Sequence, residues 1–132
     1  MRQAGRYMSE YRKIREKYSL LEICRQPELA AEVTLQPIDK LEVDAAILFS
    51  DLLLPFEPMG LAFDFVKGEG PVIHTPIRTE QDVAQLSSFD PSDGLGHVLK
   101  TISILRKDLQ DRVPLIGFAG APFTLASYAI EG

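Results

Sequence analysis

Apolar residues follow two kinds of pattern along this chain, and each predicts a different element. Leu95, Val98, Leu99, Ile102, Leu105 and Leu109 recur at spacings of three and four, which predicts an amphipathic helix with one face packed on a sheet. Val43 to Phe49 and Val113 to Gly120 are instead nearly continuous apolar runs, the pattern of parallel strands covered on both faces. Periodicity alone does not separate such a run from a buried helix segment. Ser50-Asp51 at the end of the first run, and the prolines after it, favour a strand. Pro114 suits the second run because it falls near the start.

The segments between these runs carry weaker signals. Ser9 predicts the cap of a helix reaching about Tyr18, with Tyr11, Ile14 and Tyr18 on one face. Residues 19–26 read as short and irregular. Pro27-Glu28 is a favourable helix opening, and Leu29, Val33 and Leu41 mark a stripe that Pro37 is expected to split into two helical pieces. Pro55, Pro58 and Gly60 make residues 52–60 a loop with at most a short helical turn. Leu61 to Val66 alternates, Lys67-Gly68-Glu69-Gly70 is a flexible connection and Val72-Ile73-His74 follows, which predicts a β-hairpin. Thr79 with Asp82 predicts a capping box opening a helix to about Leu86, followed by a loop over 87–94. Pro122 opens a last helix, which carries Tyr128 and runs to the end of the chain.

Composition then narrows the class. A chain of 132 residues with 45% hydrophobic and 25% charged residues has a globular balance and the length of one ordinary domain. Its net charge of −5 argues against an extended nucleic-acid surface. The densest basic stretch, Arg12-Lys13-Arg15-Lys17, is interrupted by Glu16 and reads as a solvated helix face. A single cysteine, Cys24, allows neither an internal disulfide nor a Cys-x-x-Cys metal or redox pair. No apolar run approaches the roughly 20 residues of a membrane span, so no membrane partner is expected, and a reducing compartment is the default.

Candidate chemistry gathers at two places. Arg2 and Arg6 stand four apart with Ala4-Gly5 between them, so two guanidinium forks can share one side of a turn with little bulk between. Such a pair suits a ligand with several carboxylates, each fork binding one through two parallel hydrogen bonds; it equally suits two solvated surface arginines, and spacing alone leaves both open. Asp51 closes the first strand run, where it is either a turn residue or a working carboxylate. Gly117 and Gly120 would allow close approach by another backbone or a flat ligand. His74 and His97 have no acid or cysteine at ligand spacing, and no metal is expected.

Three segments, RQAGRY at Arg2–Tyr7, ILFSD at Ile47–Asp51 and PLIGFAGAPFTLASYAIEG at Pro114–Gly132, resemble the uroporphyrinogen decarboxylase family in order and approximate spacing. The intervening chain is similar too. The resemblance implies an α/β fold, a (β/α)8 TIM barrel of which residues 1–132 form a single partial domain. It implies decarboxylation of the four acetate side chains of uroporphyrinogen III to give coproporphyrinogen III, with no metal or organic cofactor. It implies that Asp51 accepts hydrogen bonds from the pyrrole N–H groups and that Arg2 and Arg6 clamp carboxylates. Gln3, Ala4 and Gly5 would line the same loop through backbone groups, Tyr128 would donate to a carboxylate, and Phe118 could stack on a pyrrole face. It also implies a homodimer in the cytoplasm, or in a plastid were a transit peptide to lie upstream.

Length departs from that pattern. A whole barrel needs about 250 residues, and this chain holds two barrel strands, without the serine and histidine that the family carries further on. The expectation is therefore an amino-terminal piece that is inactive by itself. Two alternatives stand beside it: a barrel remnant acting only by association with intact subunits, and a corrinoid-linked methyltransferase of similar barrel fold, which would use zinc ligands further along the chain.

Overall fold

The two continuous apolar runs become the two strands of a parallel sheet, with Ala46 paired to Leu115 and Ile47 to Ile116. The computed structural model describes residues 3–66 and 68–132. In chain order the elements are α1 (Ser9–Arg15), α2 (Leu20–Arg25), α3 (Pro27–Leu41), β1 (Ala46–Ile47), α4 (Phe56–Met59), β2 (Phe63–Val66), β3 (Gly70–Ile73), α5 (Glu80–Ala84), α6 (Pro91–Gly94), α7 (Gly96–Leu109), β4 (Leu115–Ile116) and α8 (Pro122–Glu131). They fall into two units, Met1–Ser50 with His97–Phe118, and Asp51–Gly96 with Ala119–Gly132.

In the first unit, α3 and α7 bring apolar faces to the parallel pair. Ala31 and Ile38 from α3, Ala46 and Leu48 from the first strand run, and Leu105 and Leu109 from α7 form one buried cluster, with Val98, Ile102 and Leu115 packed against it. From Val98 onward the predicted helical stripe is the inward face, except that Leu99 stays 44% exposed while Thr101 is buried; Leu95, expected to open the stripe, precedes α7 and ends α6 instead. Truncating Leu105 to alanine in such a core would cost about 2–5 kcal/mol. A second cluster joins Met8, Tyr11, Ile23 and Val33, with Ala4, Ile14, Tyr18 and Phe49 against it. The Tyr11 and Phe49 rings meet in it at 5.8 Å, tilted by 59°.

Both strands are shorter than their apolar runs because the ladder extends only where a partner strand lies. Ala46 N–H donates to Pro114 O at 2.9 Å and Leu48 N–H to Ile116 O at 3.0 Å. Beyond these, side chains satisfy the backbone on the opposite edge of β1.

The second unit holds the predicted hairpin, β2 against β3 in antiparallel register from Phe63↔Ile73 to Val66↔Gly70. Gly68 (φ 97°) and Gly70 (φ 102°) supply the left-handed backbone of its turn. Lys67, part of the expected connection, lies outside the described residues. Phe63 meets Phe56 and Phe65 edge to face at 6.3 and 5.9 Å. Ile77 N–H donates to Ala129 O at 2.8 Å, tying the chain after the hairpin to α8.

Several expectations are corrected. Ser9 is not a cap: Met8 holds the N-cap position in extended conformation, without a side-chain cap hydrogen bond. Burial of Met8 in the second cluster fixes the chain there, and the Ser9 hydroxyl donates to Glu10 Oε2 at 3.0 Å. Residues 19–26 are not irregular but contain α2, opened by a capping box in which Ser19 Oγ accepts from Glu22 N–H and the Glu22 carboxylate accepts from Ser19 N–H at 2.7 Å. Pro37 does not divide α3, which runs unbroken from Pro27 to Leu41. An interior proline costs about 3 kcal/mol, and the burial of Pro37 with Val33, Thr34 and Ile38 on one stretch offsets it. The Thr79–Asp82 capping box forms, but its helix ends at Ala84. The 87–94 loop contains the single turn α6, capped by Asp90.

Candidate functional site

The arginine loop is a braced turn of the first unit. Met8 N–H donates to Gly5 O at 2.9 Å, closing a tight turn. The Tyr7 hydroxyl donates to Gln3 O, and the Arg12 guanidinium donates to Arg6 O at 2.8 Å. Ala4 and Met8 sink into the second cluster, while Arg6 is left exposed. Arg12, expected on a solvated helix face, thus holds the loop backbone. Arg2 lies outside the described residues.

Gln3, assigned a backbone role by its motif position, also engages its side chain. Its Nε2 donates to Ala45 O, and its Oε1 accepts from Ile47 N–H at 2.7 Å. Both partners lie on the edge of β1 that faces away from β4. No local sequence signal marks this contact, because the partners stand more than forty residues further on.

Asp51 opens the second unit, just past the exit of β1. It is half-buried, and its Oδ1 accepts from Leu53 N–H at 2.8 Å, an Asx turn that sets the direction of its carboxylate. Tyr128 sits on α8 with 37% of its surface exposed. Phe118, two residues beyond β4, is 47% exposed. Gly120 makes room within its own unit: a Cβ there would stand 2.8 Å from Leu125 Cδ2 and 3.5 Å from Leu52. Its missing side chain serves packing. A Cβ on Gly117 would meet open space.

A cavity of about 430 Å³ in the first unit is lined by Leu48, Ile102, Leu109, Val113 and Leu115, with Arg106 and Gln110 as its polar groups. Gly117 lines it too, whereas Gln3, Ala4, Gly5, Arg6, Asp51, Phe118 and Tyr128 do not. Among the described residues no group of three His, Cys, Asp or Glu side chains is arranged to hold a metal ion. No helix formed by them is long and apolar enough to cross a membrane. Glu10 on α1 carries a carboxyl held down to about 2, first by its own backbone N–H, then by Lys40 and Ser9. Lys40 stands 3.2 Å from it.

Two parallel strands joined through an α-helical crossover, with a helix after the second, are the beginning of a (β/α)8 barrel. The family model described as uroporphyrinogen decarboxylase (URO-D) matches residues 1–132, and the chain belongs to that family. Proteins named uroporphyrinogen decarboxylase from Sorangium cellulosum, Carboxydothermus hydrogenoformans and Geobacter metallireducens are 63%, 62% and 63% identical to it over all 132 residues. The chain spans 38% of the length of each of these relatives, so it makes an incomplete barrel. Among solved structures, a methyltransferase from Methanosarcina mazei superposes with a TM-score of 0.64 at 25% identity, covering 85% of this chain and 34% of that one.

Proposed function

We propose that this chain is the amino-terminal part of a carboxy-lyase that decarboxylates the acetate side chains of uroporphyrinogen III without a cofactor. The observation that carries this reading is the identity of about three residues in five, across every residue of the chain, to proteins named uroporphyrinogen decarboxylase.

The chemistry requires a place for two electrons. Protonation of the pyrrole carbon beside the acetate arm turns the ring into a cation. The bond to the carboxylate carbon then breaks, its electron pair enters the ring, and carbon dioxide leaves. A proton added to the exposed methylene carbon, with loss of the proton first added to the ring, leaves a methyl group. A carboxylate accepting hydrogen bonds from the pyrrole N–H groups stabilises the cationic stage, and Asp51 takes that role. Its Asx turn holds the carboxylate in advance of the reaction.

Arg2 and Arg6 bind substrate carboxylates in this reading. A guanidinium loses its proton only far above neutral pH, so binding and orientation, rather than proton donation, are their principal work. Backbone groups of Gln3, Ala4 and Gly5 line the same loop, the Tyr128 phenol donates to a carboxylate, and Phe118 stacks on a pyrrole ring. The full-length protein works as a homodimer in the cytoplasm.

The likeness to the methyltransferase lies in the fold and carries no second activity. The test joins this chain to the remaining part of the Sorangium relative and follows uroporphyrinogen consumption. Stepwise loss of four carboxyl groups, giving coproporphyrinogen, is expected of the joined barrel and not of the purified 132-residue chain. A joined barrel that folds yet leaves uroporphyrinogen untouched would overturn the reading.

A further inference from the structure

Arg6 stands in a tight turn whose central peptide carries the Arg6 carbonyl. Met8 N–H donates to Gly5 O at 2.9 Å, so Arg6 and Tyr7 are the two middle residues. In turns of this kind the peptide between the middle residues can face either way, and flipping it demands a positive φ at the second of them. Tyr7 keeps a negative φ, which leaves one orientation. A side chain then holds the peptide in it: the Arg12 guanidinium donates from Nη1 to Arg6 O at 2.8 Å.

The group that holds Arg6 is itself fixed. Arg12 belongs to α1, and its backbone N–H donates to Met8 O at 3.1 Å. Met8 and Tyr11 anchor this start of the helix in the second cluster. Only the Cα and the carbonyl carbon separate Arg6 O from the bond that carries the Arg6 side chain, so a held oxygen sets the direction in which that side chain leaves the loop. Arg6 and Arg12 stand six apart, and the hydrogen bond between them involves nothing outside this segment. Arg12 is exposed, so water replaces the bond when it is lost, and the contact supplies direction more than stability.

We propose that Arg12 is a positioning residue for the substrate: its guanidinium ties the Arg6 carbonyl to α1 and so sets where the Arg6 side chain meets a substrate carboxylate. This rests on the reading of the loop as a carboxylate clamp. Methionine at position 12 keeps an unbranched side chain and donates nothing. Glutamine removes the charge and is too short to reach Arg6 O. Lys13, the next residue of α1, is likewise charged and exposed. Lys13→Met therefore removes the same charge from the same helix and leaves the bond to Arg6 O in place.

The experiment uses the joined full-length barrel carrying Arg12→Met, Arg12→Gln, Lys13→Met, Arg6→Leu or Arg6→Leu with Arg12→Met, and compares steady-state kinetics. Both Arg12 variants are expected to raise KM about 10-fold, with kcat changed less, the signature of lost uniform binding. Lys13→Met should leave KM near that of the parent. In the Arg6→Leu background, Arg12→Met should add no further rise, because it acts through Arg6. An unchanged KM in both Arg12 variants, alongside a raised KM in Arg6→Leu, overturns the positioning role alone. An unchanged KM in Arg6→Leu overturns the clamp reading, and the proposal with it. A full additional rise in the double variant means that Arg12 works independently of Arg6, which overturns the proposal. A rise in Lys13→Met as large as in Arg12→Met assigns the effect to the charge of the helix and does the same, as does failure of both Arg12 variants to fold.

Discussion

The backbone N–H of Phe49 donates to Thr34 Oγ1 at 2.9 Å, while the same hydroxyl donates to Ala30 O at 2.7 Å. A fully buried threonine in the middle of α3 thereby satisfies the strand run at its exit, two residues before Asp51. Thr34→Val keeps the branched shape and removes the acceptor. The expected cost is about 1–3 kcal/mol, the penalty for an orphaned backbone donor. Denaturant unfolding of the joined full-length barrel measures it, and a change within error would show that water reaches Phe49 N–H.

Asp51→Asn separates structure from chemistry. Asparagine retains an oxygen for the Leu53 N–H contact, so the Asx turn should persist. The negative charge is lost, and kcat of the joined barrel should fall about 10²–10³-fold. Retained activity in a normally folded variant would remove Asp51 from the reaction.

Gly94 tests packing in the second unit. A Cβ there would stand 2.8 Å from Pro58 Cβ and closer still to the Phe89 ring. Gly94→Ala is therefore expected to lower stability by about 1–3 kcal/mol despite alanine's better helix propensity. Thermal unfolding decides between them: a raised Tm would mean that the Phe89 ring swings aside without cost.

Acid should weaken the first unit through Glu10. Its folded pKa is lowered from 4.5 to about 2, so its contribution is complete above 4.5 and is lost as pH falls from there through about 2. Glu22 and Glu28 are lowered as well, by the Ser19 backbone N–H and by Lys100 respectively, and act in the same direction. Glu10 and Lys40 are both substantially solvent-exposed, which screens the pair and keeps the effect modest. Tm measured downward through this range should fall less steeply in Glu10→Gln than in the parent. Parallel curves would assign the acid sensitivity to other carboxylates.

Elements held by local patterning were legible in the sequence. The stripe from Val98 to Leu109 forms α7, the alternation after Leu61 forms a hairpin, and Thr79 with Asp82 forms its box. The parallel pair was legible too, because burial on both faces leaves a continuous apolar run. What local pattern does not encode was misread or missed. Pro37 sits inside one helix because tertiary burial outweighs its local preference, and Ser9 lost the cap to a buried Met8. The candidate site was legible at Arg6 and Asp51 as residue types in motifs. The side-chain work of Gln3, Arg12 and Thr34 was not, since each acts through a backbone group belonging to another element or turn.

The two edges of β1 differ in when their partners are made. Gln3 and Thr34 precede β1 in the chain, so during synthesis one edge finds its hydrogen bonds among residues already present. The other edge needs Pro114 and Ile116, which at ribosomal rates of about 5–20 residues per second arrive several seconds later. For that interval the edge of β1 that faces β4 stands open to stray pairing.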